Sequence, residues 1–289
     1  MNTENYMTGC HKMKVWKWIL AFVIGSFVML MALSIAEMIS MNLLNNHHLL
    51  NFVFCMGAGC GLLGLYALWI CLVENRPVVE LSLPSAPRNL IQGMTVGVLM
   101  FCVLTAILYF AGSYEVKSFG CEYLPWIANF GLFFLVAVGE EIIFRGFIFR
   151  MIDQRFSTWV ALLVSALIFG FVHYTNPNGT IWASVAIAIE AGLMLAMAYK
   201  CTNSLFFPIG IHWTWNFSQG NVFGFPVSGT SVDNSLITPV ISGNELFTGG
   251  EFGPEASVKV IVFHVVHALF LLCILKSFAS RRIRRCFLN

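Results

Sequence analysis

Charge is scarce in this sequence. Asp, Glu, Lys and Arg together make up 10% of its 289 residues, whereas soluble domains carry about 25% charged residues. Lys and Arg number 16 against 14 Asp and Glu, so the chain also lacks the basic excess typical of nucleic-acid binding. Hydrophobic residues, in contrast, account for 58% of the chain. This composition excludes a water-soluble enzyme, a disordered scaffold and a nucleic-acid binder, and it predicts an integral membrane protein.

The sequence also lacks the cysteine spacing of a disulfide framework or a zinc knuckle. Its nine cysteines are odd in number, and no two are spaced as CxxC. Most lie within apolar stretches, which favours small buried side chains. No cleavable signal peptide is predicted, because the first apolar run is too long for the h-region of such a peptide.

Eight apolar runs are long enough to cross a bilayer, since a hydrocarbon core about 30 Å thick needs about 20 helical residues. The predicted spans are residues 16–40, 49–73, 90–111, 125–150, 157–174, 181–200, 204–224 and 257–278. We therefore predict an all-α fold, a polytopic transmembrane helical bundle of about eight spans that forms a single membrane domain. Its parts are a motif-bearing core at about 125–224, an outer loop at 221–256 and a basic tail at 279–289.

Basic residues near the ends of these spans cluster on one side of the predicted bundle. They are Lys12, Lys14, Lys17, Arg76, Arg88, Arg150, Arg155, Lys200, Arg281, Arg282, Arg284 and Arg285. On the other side, residues 41–48, 174–180 and 221–256 contain no Lys or Arg. Because Lys and Arg concentrate in cytoplasmic loops, we expect both termini in the cytoplasm, and we expect a bacterial inner membrane.

The fourth span carries three ionisable side chains in an otherwise apolar helix, Glu140, Glu141 and Arg145. If unpaired, they would oppose insertion by roughly 8 to 10 kcal/mol, at about 2.5 to 3.5 kcal/mol each. Glu141 and Arg145 are four residues apart with Glu first, the favourable order for a helical ion pair. Glu140 points about 100° away and lacks that partner. The alternative interpretation is a structural cluster of ion pairs that joins helices.

Two further spans carry polar stripes at helical spacing. The fifth ends with Phe169 and His173, and the seventh contains His212 and Asn216. One carboxylate, two imidazoles and a carboxamide form a possible hydrolytic set. The carboxylate would take a proton from water, one imidazole would align that water, and the other imidazole and the amide would donate to an oxyanion.

Other hydrolytic chemistries are less well supported by the sequence. Neither GxSxG nor HExxH occurs, and Ser165 and Cys201 have no His at helical spacing, so no covalent nucleophile is predicted. Zinc chemistry stays open, because two His and one carboxylate form an accepted catalytic shell. Its ligands would be Glu140, His173 and His212. The cofactor prediction is therefore none required, or one zinc ion.

The ordered motifs EExxxR at 140–145, FxxxH at 169–173 and HxxxN at 212–216 resemble those of the CPBP family of intramembrane proteases. This family includes the type II CAAX prenyl proteases and bacteriocin-processing and immunity relatives. The resemblance implies an eight-helix membrane endopeptidase with a conical, water-filled cavity open to the cytoplasm. It also implies a membrane-anchored or lipidated substrate, which is prenylated for some members.

The resemblance further implies a role for each motif residue. Glu140 is similar to the general base, Glu141 and Arg145 to its supporting pair, and His173 to the residue that positions water. His212 and Asn216 are similar to the oxyanion stabilisers, and Phe169 lines the site. We favour the metal-free mechanism, since Glu140 and Asn216 already account for the chemistry. The alternatives are a catalytically inactive membrane scaffold or immunity protein of the same fold and, less favoured, a transporter.

Several polar residues are left without a catalytic assignment. Glu190, inside the sixth span, could extend the polar cavity or clamp a neighbouring helix, and we favour the clamp. His264 and His267, in the eighth span, are interpreted as interhelical hydrogen-bonding groups. The tail from Arg284 has the outline of a CaaX end, but its last residue is an atypical Asn, and we interpret it as a basic anchor for lipid headgroups.

Overall fold

The structure is a computed structural model, and it describes residues 14–259. All but the first three residues of the eighth predicted span, the basic tail and the two histidines His264 and His267 lie outside the described residues. The predicted helical membrane bundle is confirmed for the part of the chain that is described.

In the described part of the chain, six long helices are apolar enough to cross a membrane. They are α1 (Val15–Leu43), α2 (His48–Glu74), α3 (Val79–Phe110), α4 (Tyr123–Arg155), α5 (Thr158–Thr175) and α6 (Ile181–Thr202). A shorter helix, α7 (Phe206–Phe217), continues as a π-helical turn, Ser218–Val222. These seven helices follow the first seven predicted spans in order. Their apolar side chains leave the outer surface of the bundle suited to lipid.

The structure also contains a two-stranded antiparallel sheet, which the sequence analysis did not predict. Strand β1 (Tyr114–Phe119) precedes α4, and strand β2 (Ile237–Ile241) lies in the outer loop 221–256. The rest of this loop forms a short helix, α8 (Glu245–Thr248), and two 3-10 turns, Gly250–Phe252 and Pro254–Ala256. Strand pairing satisfies backbone groups of two connections that would otherwise be exposed.

The outer loop is fastened to the connections on its own side of the bundle. Besides the sheet, Asn176 Nδ2 donates to the carbonyl of Ser228 at 3.0 Å, and Trp182 Nε1 donates to the carbonyl of Ala256 at 2.7 Å. These contacts gather the α3–α4, α5–α6 and post-α7 connections at one end of the bundle. We call this end, defined by the sheet and residues 221–256, the loop end.

Ion pairs and a cation–π contact gather the other connections at the opposite end. Arg150 Nη2 lies 2.6 Å from Glu74 Oε1 across α4 and α2. Lys200 Nζ lies 2.6 Å from Asp153 Oδ2. The Arg155 guanidinium lies over the Trp18 ring at 5.4 Å. We call this end, defined by these three contacts, the basic end, and it holds the start of α1.

Helix α7 is held between α3 and α4 by hydrogen bonds near its centre. Thr214 Oγ1 donates to the carbonyl of Met94 in α3 at 2.9 Å, and Trp213 Nε1 donates to the carbonyl of Phe130 in α4 at 2.9 Å. Both residues are buried. Because they directly follow His212, these contacts fix the position of its imidazole against α4.

Candidate active site

A cavity of about 710 Å³ penetrates the bundle and holds the predicted catalytic residues. Glu140, His173, His212 and Asn216 all line it. Its walls come from α1, α2, α4, α5, α6 and α7, together with parts of the outer loop. Residues that are far apart in sequence therefore meet around one polar space inside an apolar bundle.

Glu141 and Arg145 form the ion pair that their spacing predicts. Arg145 Nη1 donates to Glu141 Oε1 at 2.7 Å, and both side chains are buried, with exposures of 1% and 0%. Arg145 Nη2 also donates to the carbonyl of Ala191 in α6 at 3.0 Å. The pair thus neutralises two charges in the bundle and ties α4 to α6.

The same carboxylate oxygen of Glu141 also orients His212. The His212 Nδ1 atom lies 2.9 Å from Glu141 Oε1. An ionised carboxylate only accepts hydrogen bonds, so His212 carries its proton on Nδ1. Its Nε2 atom is directed to the other side of the ring, toward the cavity.

Glu140 faces that second nitrogen of His212 without a direct hydrogen bond. Glu140 Oε2 lies 3.8 Å from His212 Nε2, which is longer than a hydrogen bond. Oε2 is buried and has no hydrogen-bond partner among residues 14–259. Such a gap between two polar atoms is the distance at which a bridging water or a substrate group fits.

His173 and Phe169 lie one helical turn apart at the end of α5. The His173 Nδ1 atom donates to the carbonyl of Phe169 at 2.7 Å, which leaves Nε2 free of that bond. The Phe169 ring is buried and lies 4.8 Å from the His173 ring and 6.2 Å from the His212 ring, between centroids. The Arg145 guanidinium lies 4.5 Å from the same Phe169 ring, a cation–π contact. Phe169 therefore contacts three of the candidate groups.

Asn216 and Glu190, two further polar residues named from the sequence, also line the cavity. Asn216 is half-buried and lines the cavity one turn after His212. Glu190 is buried in a π-helical segment of α6 and also lines the cavity. Its Oε2 has no hydrogen-bond partner in the described part of the chain. This oxygen therefore makes no hydrogen bond that would clamp a neighbouring helix.

Glu37 is a cavity residue that the sequence analysis did not single out. It lies half-buried in α1 and lines the cavity together with Glu140. A signal for it existed, because a carboxylate inside the first predicted span is a candidate by the rule applied to the fourth. Glu255, from the outer loop, is a further buried carboxylate on the cavity wall.

The described side chains do not form a ready metal shell. Among residues 14–259, no group of three His, Cys, Asp or Glu side chains is arranged to hold a metal ion. The predicted zinc ligands Glu140, His173 and His212 are therefore not gathered into such a group in this arrangement.

Residues 122–218 are similar to a known family. They match the Rce1-like type II CAAX prenyl endopeptidases. This segment covers about a third of the chain, from the start of α4 into the turn after α7, and it contains all three motifs. The resemblance inferred from those motifs is confirmed over this segment. No curated protein and no solved structure matches the chain.

The family match indicates an intramembrane protease of the CAAX type. Together with the six long apolar helices, it identifies an integral membrane protein. The match does not assign a role to any individual residue.

Proposed function

We propose that this protein is an intramembrane endopeptidase that hydrolyses a peptide bond of a membrane-associated substrate with water activated by Glu140. The observation that carries the proposal is the unpartnered Glu140 oxygen, 3.8 Å from His212 Nε2 inside the cavity. A general base must lie within reach of the water that it deprotonates, either directly or in the substrate complex. This oxygen is buried and is not used by another residue of the described chain, and the Glu140 residue lines the cavity.

Glu140 moves the protons of the proposed reaction. As the water oxygen bonds to the scissile carbonyl carbon, Glu140 takes one water proton, and the carbonyl becomes an oxyanion. The tetrahedral intermediate then collapses, the C–N bond breaks, and the proton passes from Glu140 to the leaving amine. The products are a carboxyl end and an amine end, and Glu140 regains its charge.

His212 and Asn216 stabilise the oxyanion in this proposal. The Nδ1 proton of His212 is held by Glu141, so a second proton on Nε2 would be directed into the cavity. The Asn216 amide, one turn away, offers the second donor.

His173 positions the attacking water. Its Nδ1 proton is committed to the Phe169 carbonyl, so the neutral ring offers Nε2 as an acceptor. Phe169 holds this ring in place through the aromatic contact between them. Water therefore meets an acceptor on His173 and a base on Glu140 in the same cavity.

Cleavage of defined peptides by the purified protein tests this proposal. The panel contains membrane-associated peptides with and without a farnesyl group, and mass spectrometry identifies both product ends. We expect cleavage that survives a chelator. Cleavage lost in chelator and restored by zinc would overturn the metal-free mechanism. No cleavage of any peptide would favour the inactive scaffold.

A further inference from the structure

The cavity opens at the loop end of the bundle. Its lining includes Asn45 from the α1–α2 connection, His48 from the start of α2, Asn176 from the α5–α6 connection and residues 227, 228 and 230–234 of the outer loop. No lining residue comes from the α2–α3, α4–α5 or α6–α7 connections in the part of the chain that is described. The cavity therefore runs from the loop end to the middle of the bundle.

The rim of this opening is polar and accessible. Asn45 and Asp233 are exposed, and His48 and Asn176 are half-buried. Apolar side chains replace them deeper in the cavity, where Leu132, Phe133 and Val136 line the wall along α4 with Glu140 below. A peptide can thus enter from water at the loop end without crossing lipid.

Basic residues show which end of the bundle faces the cytoplasm. Those near the basic end are Lys14, Lys17, Arg76, Arg88, Arg150, Arg155 and Lys200, and those near the loop end are Lys117 and Lys259. Lys and Arg near the ends of spans concentrate on the cytoplasmic side. By this rule, their distribution among the described residues predicts that the basic end faces the cytoplasm and that the loop end faces the other side.

From these two observations we infer that the catalytic cavity opens to the non-cytoplasmic side of the membrane. This inference rests on the proposed function and names its substrate class. The substrate is an extended segment of an exported or membrane-anchored polypeptide on the non-cytoplasmic face. From Pro125 at the rim to Glu140, the rise of α4 is about 22 Å, which an extended chain spans with about seven residues.

The inference corrects one combination of expectations from the sequence. The resemblance implies a cavity open to the cytoplasm, and the basic loops imply cytoplasmic termini. In this fold both cannot be true, because the start of α1 is at the basic end and the cavity opens at the other. Among the described residues, seven Lys and Arg lie near the basic end and two Lys lie near the loop end. This difference favours cytoplasmic termini.

Cysteine labelling of intact cells tests the direction of the opening without requiring activity. In the full chain with its native cysteines replaced, Asp233→Cys lies at the rim and Arg88→Cys lies at the basic end. A membrane-impermeant maleimide should label Asp233→Cys in intact cells, and it should label Arg88→Cys only after permeabilisation. The reverse pattern would overturn the inference.

A second measurement keeps the test valid if the cysteine-replaced protein does not fold. Native Cys121 is exposed between β1 and α4, at the loop end. The otherwise unchanged protein should be labelled at this residue in intact cells, and the signal should be lost in Cys121→Ser. An equal signal in both proteins, with new Cys121 labelling after permeabilisation, would overturn the inference.

Sided cleavage then tests the substrate class. Intact spheroplasts should cleave a peptide added outside, and inside-out vesicles should cleave it only after detergent is added. Cleavage by sealed inside-out vesicles alone would overturn the inference while supporting the proposed function. Cleavage in neither preparation, with the rim labelled from outside, would instead reject the proposed function and, with it, the substrate class.

Discussion

Glu141 Oε1 accepts hydrogen bonds from both Arg145 and His212, while Oε2 has no partner among the described residues. This oxygen therefore joins the buried ion pair to the imidazole that faces the cavity. A carboxylate in this position both balances the arginine charge and sets the direction of the ring. Glu141 is therefore a positioning residue and the counter-charge of Arg145, and it is not the proposed base.

Removing the arginine alone should destabilise the protein strongly. In Arg145→Met, Glu141 stays buried without its cationic partner, and we expect a loss of about 3 to 5 kcal/mol in unfolding free energy. The double variant Arg145→Met/Glu141→Gln should recover part of that loss, since no charge is left unpaired. Unfolding of both variants in detergent measures the coupling. A single variant as stable as the wild type would contradict this account.

Glu255 should make stability depend on pH. Burial in the outer loop raises the pKa of Glu255 from 4.5 to about 7. A carboxyl with a raised folded pKa favours folding when protonated, so this contribution is present below pH 4.5 and is lost as pH rises through about 7.

The variant Glu255→Gln should therefore unfold at a higher temperature than the wild type at pH 8, and the difference should shrink at pH 5. Melting temperatures in detergent at the two pH values check this expectation. Glu251→Gln, which removes an exposed carboxylate from the same loop, is the control. A Glu255→Gln difference that is the same at both pH values would show that the carboxyl is not buried in a raised-pKa state.

At the residue scale, the sequence predicted the Glu141–Arg145 pair because i,i+4 spacing determines proximity on a helix. The hydrogen bond from His212 to Glu141 could not be predicted, since it joins residues 71 positions apart. It depends on how α7 packs against α4. Glu37 was missed although its position within an apolar span was a usable signal.

At the element scale, α5 and α6 approach closely because Gly170 lacks a side chain. A Cβ at this position would lie 2.6 Å from Ala188 Cβ and still nearer to the carbonyl oxygen of Ser184. Small residues at helix contacts allow such packing in membranes. The contact positions Phe169 and His173, which lie on either side of Gly170 in α5 and line the cavity.

The substitution Gly170→Ala should therefore push the two helices apart. We expect it to cost about 1 to 3 kcal/mol in unfolding free energy, as overpacking does in protein cores. Gly64→Ala in α2 is the matched control, because a Cβ there would have no neighbouring atom within 4 Å. Thermal unfolding of the two variants measures the difference. Equal melting temperatures would mean that the α5–α6 contact is looser than described.

The depths of the site residues also depend on whole elements. By the predicted span ends, Glu140 lies near the middle of the fourth span and His173 near the far end of the fifth. These positions put the two side chains at different depths in the membrane. In the structure α4 contains 33 residues and α5 only 18. A helix of 33 residues is about 50 Å long, well beyond a 30 Å hydrocarbon core, so it tilts or extends past it. Span ends read from hydropathy do not reveal such offsets.

The small sheet was also beyond prediction from the sequence. Strand β1 has six residues and β2 has five. Val116 pairs with Pro239, although helices α4 to α7 lie between them in the sequence. Short strands with so distant a partner leave little periodic signal. The pairing depends on α4 to α7 first bringing both connections to the loop end.

At the scale of the whole molecule, the bundle has two chemically distinct ends. Ion pairs such as Arg150 with Glu74 close the basic end, and the cavity opens at the other. The number and order of the helices in the described chain could be predicted from hydropathy, because each needs about 20 apolar residues. The convergence of three motifs on one cavity required the packing of α4, α5 and α7.

The central claim is that Glu140 activates water in that cavity. Its most direct test is the cleavage rate of Glu140→Gln relative to the wild type, with Glu190→Gln as a second carboxylate on the same cavity wall and unfolding measured for all three. We predict that Glu140→Gln folds normally and loses about 10²-fold to 10⁴-fold in rate, while Glu190→Gln keeps most of its activity. A folded Glu140→Gln protein that cleaves at the wild-type rate would contradict the account.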